Sequence, residues 1–179
     1  MEAINRVTIN TLIDGLRAIP DESFVCDTVY QYLSESPIDP GSIEKYLFWS
    51  QACYTRNLIY KDERFEMMAI CWDKGQVSRV HNHYDQRCWM MVPIGRLQGQ
   101  NFAVEEIDEA TGYCKLRETN TFELSECLAA KVDLEEPILD DAGEATPVGM
   151  VLAIGAVHRQ QPTAARDELV GVDRVREAC

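Results

Sequence analysis

Residues 75–95 read GQVSRVHNHYDQRCWMMVPIG. His81 and His83 stand two apart in a run of strand character, and side chains at i and i+2 of a strand point to the same face. Both imidazoles can therefore reach one point in space. The chain holds only one more histidine, His158, at the end of a second apolar, strand-like run, VGMVLAIGAVHR over 148–159. Three imidazoles converging from two strands would form a neutral metal site with open coordination positions. Donor chemistry of this kind suits zinc as well as non-haem iron.

Upstream, residues 7–50 read as helical. Ile9, Leu12, Ile13 and Leu16 repeat at helical spacing. Val25, Val29, Tyr32 and Leu33 do the same after Asp21 or Ser23, either of which can cap a helix. Asp39-Pro40 opens a third candidate with Ile43, Tyr46 and Leu47, an N-cap followed by proline at the first helical position. From Cys53 the pattern changes to period two. It predicts strands over 53–60, 65–72, 77–83, 88–93, 97–105, 113–118, 121–132 with a possible break, and 148–158. Turn signals at Asp62-Glu63, Asp73-Lys74-Gly75 and 108–112 separate several of them. Short helices ahead of many short strands predict a mainly β chain, an antiparallel sandwich or barrel with helices packed on one side. Residues 133–147, with six acids and no base, read as a solvated loop.

At 179 residues with 46% hydrophobic content, the chain is sized for one domain with a sizeable core. No apolar run approaches the roughly 18 residues needed to span a bilayer, and the first ten residues lack a segment of signal-peptide type. A formal charge of −13 argues against nucleic acid and anionic membrane as partners, since both are polyanions. Seven cysteines without a CxxC pair do not read as a disulfide framework, and the expected location is a reducing cytoplasm. Cys26, Cys53, Cys71, Cys114, Cys127 and Cys179 carry no metal spacing and read as packing or surface thiols.

The order Gly75, five residues, His81-x-His83, four residues, Cys88, six residues, Gly95 resembles the first cupin motif, with Cys88 where many cupins carry a glutamate ligand. Gly155-x-x-His158 resembles the histidine of the second. The stretch from Tyr54 to Cys88, with YTRNLIY, MAICW and HNHYDQRC, resembles the thiol dioxygenases, cysteine dioxygenases above all. The resemblance implies a cupin-type jelly-roll β-barrel with N-terminal α-helices. It divides one domain of 1–179 into a helical segment over 1–50, a barrel over 51–159 and an atypical tail over 160–179. It implies Fe(II) held by His81, His83 and His158, with O2 and a small carboxylated thiol as the reactants. L-cysteine is the first candidate substrate and its sulfinic acid the product; 3-mercaptopropionate is the alternative thiol. A site without a carboxylate ligand keeps the metal's full charge and favours a thiolate, whose pKa coordination lowers.

By the same resemblance Arg56 holds the substrate carboxylate, Tyr54 supports it, and Trp72 lies near the site. Arginine's planar fork suits a bidentate carboxylate pair. Cys88 occupies the position that, in animal members, can form a thioether with a tyrosine beyond the third histidine. Here residue 175 is valine and the last tyrosine is Tyr113, so that link cannot form; Cys88 then reads as a small buried residue near the metal, with a catalytic, redox role as the other expectation. The resemblance is lost after Arg159: no histidine or tyrosine follows His158, and the serine-x-histidine-x-tyrosine set of the family has no counterpart. A metal-binding cupin without turnover is the rival expectation, and a zinc cupin a second. The latter lacks an obvious general base, Asp85 being the only acid near the histidines.

Overall fold

The first helix, α1 (Ile9–Ala18), forms where the apolar spacing predicts it, and Thr8 caps its N-terminus through its hydroxyl oxygen, which accepts from the Thr11 amide. Ile9, Leu12, Ile13 and Leu16 form its buried stripe. The computed structural model describes residues 5–81, 87–108, 110–126, 129–132, 138–141 and 148–156. The second helix, α2, spans Cys26–Glu35 and buries Val29 and Leu33. Between them Asp21–Ser23 makes a 3₁₀ turn, and a longer 3₁₀ helix follows at Pro40–Tyr46. Asp39 caps the latter by accepting from the Gly41 amide, with proline at the first helical position. A backbone bridge between Val7 and Ile38 ties the start of this layer to its end.

Among the described residues eight strands follow: β1 (Thr55–Lys61), β2 (Phe65–Asp73), β3 (Cys88–Ile94), β4 (Arg96–Asp108), β5 (Tyr113–Ser125), β6 (Ala129–Val132), β7 (Ile138–Asp141) and β8 (Val148–Ala156). They form two antiparallel sheets, one in the order β1-β2-β8-β3-β6 and one in the order β5-β4-β7. The last strand is inserted between β2 and β3. It pairs Phe65 with Ala156 through Asp73 with Val148 on one side, and Cys88 with Gly155 on the other.

Alternation along these strands separates two cores. Phe65, Met67, Ala69 and Cys71 of β2, Trp89 and Met91 of β3, and Ile154 of β8 pack against the helices. Trp72, Cys88, Met90 and Val92 leave the opposite face and meet Leu97 of β4 and Leu124 of β5, with Tyr54, Ile70 and Phe122 packed alongside. β3 is consequently buried along both faces. Each aliphatic or aromatic side chain so enclosed contributes about 1.5–3 kcal/mol.

Polar stitches hold the helical layer to the sheet. Arg64 donates to the carbonyls of Ile19 (2.6 Å) and Leu16 (2.9 Å), capping the end of α1, and lies over the Phe24 ring at 4.6 Å. Arg87 donates to the Phe24 carbonyl at 3.1 Å, and the Trp89 indole to the Cys26 carbonyl at 3.0 Å.

The structure corrects several expectations. The strand expected over 77–83 does not form across its described part: Val77 and His81 make single bridges and 78–80 are irregular. A side-chain contact from His81 back to the Arg79 carbonyl competes there with ladder pairing. The acidic stretch 133–147 contains β7, whose Ile138 and Leu139 pair with Asn101 and Gln100. Residues 113–118 and 121–125 run as one strand, and 129–132 as another. The cap of α2 is Val25, without a side-chain hydrogen bond, rather than Asp21 or Ser23. The third helix is 3₁₀ in form. The sheets face each other, and among the described residues no hydrogen-bonded ladder joins one sheet to the other.

Candidate active site

The wall of the candidate site is built by β1 and β2. Arg56 pairs with Ile70 across the ladder, which makes Trp72 its diagonal neighbour on the same face, with Cα atoms about 7–8 Å apart. Tyr54 precedes β1 and stacks on Trp72, with ring centroids 5.4 Å apart and planes 22° apart. The Arg56 guanidinium lies 5.7 Å from the Tyr54 ring centroid. Indole, phenol and guanidinium thus form one continuous series, buried at Trp72 and exposed at Arg56. Stacking of this kind holds a guanidinium without consuming its in-plane N–H donors.

His81 is half-buried, and its Nδ1 lies 2.8 Å from the Arg79 carbonyl oxygen. A carbonyl only accepts, so Nδ1 carries the proton and donates; in the neutral ring Nε2 then carries the lone pair. That arrangement orients an imidazole for ligation through Nε2. His83 and His158 lie outside the described residues. β8 ends at Ala156, two residues before His158. Among the described residues no three histidine, cysteine or acidic side chains gather into a metal-sized cluster.

Cys88 is buried at the start of β3, within the same apolar interior as Trp72. The two are not adjacent. Trp72 stands opposite Gly149 of β8 and Cys88 opposite Gly155, six register positions away, or about 20 Å along the strand. The aromatic–arginine wall and the cysteine therefore occupy opposite ends of the interior. The far wall, Leu97, Phe122 and Leu124, came from strands to which the sequence attached no role. Its signal is the alternation Phe122-x-Leu124.

Among the other thiols, Cys71 faces the helices, and burial pushes its pKa up, so it is a poor nucleophile. Cys26, Cys71, Cys88 and Cys114 are not in disulfides. Cys53, next to Tyr54, is disulfide-bonded, which corrects its reading as a packing or surface thiol. Cys127 and Cys179 lie outside the described residues. Among those residues no helix is long and apolar enough to cross a membrane.

A family model described as cysteine dioxygenase type I matches residues 3–129. The match includes Tyr54, Arg56, Trp72, His81, His83 and Cys88; His158 lies beyond it. The chain is 28% identical over 99 residues to cysteine dioxygenase type 1 of Danio rerio, covering 54% of this chain and 49% of that protein. It is 28% identical over 108 residues to the Bos taurus protein of that name, covering 58% and 54%. It is 33% identical over 66 residues to the Homo sapiens protein, covering 36% and 33%. The chain spans about half the length of the first two of these curated relatives. Among solved structures, an uncharacterized conserved protein with a double-stranded β-helix domain from Klebsiella pneumoniae superposes with a TM-score of 0.51 at 12% identity, covering 67% of this chain and 85% of that one. That likeness is one of fold, and it agrees with the cupin-type arrangement of the two sheets.

Proposed function

The chain belongs to the cysteine dioxygenase type I family, and from that premise we propose that it oxidises the thiol of a small carboxylated substrate, L-cysteine first, to the sulfinic acid. The reaction balances as thiolate plus O2 giving sulfinate, so no further reductant is needed. The observation that carries this reading is the Tyr54–Arg56–Trp72 wall, which presents a cation on an aromatic stack at the edge of a dry interior.

The donor chemistry of the chain fits a divalent iron. His81 is set by the Arg79 carbonyl to offer Nε2. His81, His83 and His158 would hold Fe(II), which supplies when bound the O2 activation and sulfur affinity that no side chain has. The protein's own part is binding and exclusion. Arg56 pairs its fork with the carboxylate, and Tyr54 holds the guanidinium from one side. Met90, Val92, Leu97 and Leu124 keep water from the interior, which strengthens the ion pair. Cys88 is a small packing residue at the far end.

The test is oxygen uptake with sulfinate detection on anaerobically Fe(II)-loaded protein, given L-cysteine or 3-mercaptopropionate, beside a His158→Ala control. Sulfinate from L-cysteine, lost in the control, is the expected result. Full iron content with no sulfinate from either thiol would overturn the proposal.

A further inference from the structure

The five-stranded sheet carries two fully buried indoles, one on each face. Trp89, on the helix side, donates its Nε1–H to the Cys26 carbonyl at 3.0 Å. Trp72, on the interior side, is 1% exposed, and its Nε1 has no acceptor among the described residues. It is the one buried side-chain nitrogen or oxygen among those residues left so. Leaving a buried donor unpaired is costly, and natural structures do it at few places. Among the described residues the indole that serves packing is satisfied and the one that faces the candidate site is not.

A water molecule is a poor occupant for that position. Buried waters are held by two to four polar partners. The core cluster to which the indole belongs is built of apolar side chains, Met90, Val92, Leu97 and Leu124 among them. A ligand that brings its own acceptor, and has its other polar groups held elsewhere, meets the requirement. The Arg56 guanidinium, the diagonal neighbour, selects the same class of group.

We infer that Trp72 is a specificity-determining residue whose Nε1–H donates to a carboxylate oxygen of the bound thiol acid, beside Arg56. The inference rests on the proposed function for its ligand. Arg56 supplies charge from the exposed edge. Trp72 supplies a neutral, directional donor from the buried end. A ligand without the carboxylate leaves that donor unpaired both before and after binding, so it gains nothing from it.

The test replaces Trp72 by β-(3-benzothienyl)alanine, which keeps the fused ring and exchanges N–H for sulfur, with Trp72→Phe as the ordinary variant. Anaerobic Fe(II)-loaded protein is titrated calorimetrically with L-cysteine and with cysteamine, which lacks the carboxylate. The expected result is a loss of L-cysteine affinity of about tenfold or more, the scale of one hydrogen bond to a charged group, with cysteamine affinity unchanged. Thermal unfolding adds a second readout. Trp72→Phe should lower Tm less than Trp89→Phe, because only Trp89 gives up a made hydrogen bond. Unchanged L-cysteine affinity in the benzothienyl protein, or an equal loss for both thiols, overturns the inference while the proposed function stands. Failure of the unsubstituted protein to bind L-cysteine would overturn both.

Discussion

Asp62 closes β1 by accepting from the amides of Arg64 (2.8 Å) and Phe65 (3.0 Å) and from the Tyr60 hydroxyl (2.8 Å). Burial pushes its carboxyl up, but the Phe65 and Arg64 amides, then the Tyr60 hydroxyl and the Arg64 charge, together hold it below the ordinary aspartate range. A depressed folded-state pKa stabilises the fold above the unfolded value near 4, and that contribution fades as pH falls through the folded value. Asp62→Ala should therefore cost about 1–2 kcal/mol at pH 7 and less at pH 3, as chemical denaturation at the two pH values would report. A constant difference would mean that the carboxylate charge contributes nothing. At this scale the sequence was informative where residue type and spacing carry chemistry. His81 could be singled out in that way; Tyr54, Arg56 and Trp72 were reached through the resemblance, and the structure stacks these three together. That the Trp72 indole finds no acceptor among the described residues could not be read, because it depends on what distant strands contribute.

The β4–β5 hairpin shows how a strand pair depends on one missing side chain. Gly99 lies directly opposite Phe122, and a Cβ built at Gly99 would come 2.3 Å from the Phe122 ring. The ring packs across the glycine toward the interior core. Gly99→Ala should force that ring aside and destabilise the protein by about 1–3 kcal/mol, measurable by urea unfolding; a neutral substitution would show that the ring shifts without loss. Helix α1 and strands β2, β3 and β8 were legible as elements because their apolar periods are strong and uninterrupted. The weaker elements were not. β7 is four residues long and set among acids, so composition outweighed its short apolar pair. Residues 77–81 alternate like a strand, yet the His81 ring contacts the backbone of its own segment, and side-chain competition of that kind leaves little trace in periodicity.

For the molecule as a whole, the insertion of β8 between β2 and β3 unites strands far apart in the chain. The fold class was legible, through the resemblance of residues 75–95 and 155–158 to cupin motifs and of 54–88 to the thiol dioxygenases. The strand order was not, since apolar alternation says that a strand is half-buried but not which strand lies beside it. The order implies a graded stability. Amides of β2, β8 and the centre of β3, each flanked on both sides, should exchange slowest with solvent. Those of 104–108 and 113–117 belong to a ribbon with exposed Val104, Ile107 and Tyr113, and should exchange fastest among strand amides. Hydrogen exchange would check this, and equal protection of ribbon and centre would contradict it. The stitches between helices and sheet carry one more consequence. Arg87 and Trp89, the neighbours of Cys88 on either side, are pinned to the carbonyls of Phe24 and Cys26, 63 residues away in each case. The sulfur's position is thereby surveyed from behind, against a datum on the far side of the sheet. A change that rocks the start of α2 would misalign the interior without touching any residue that lines it, so the helical layer sets the tolerance to which the site is built.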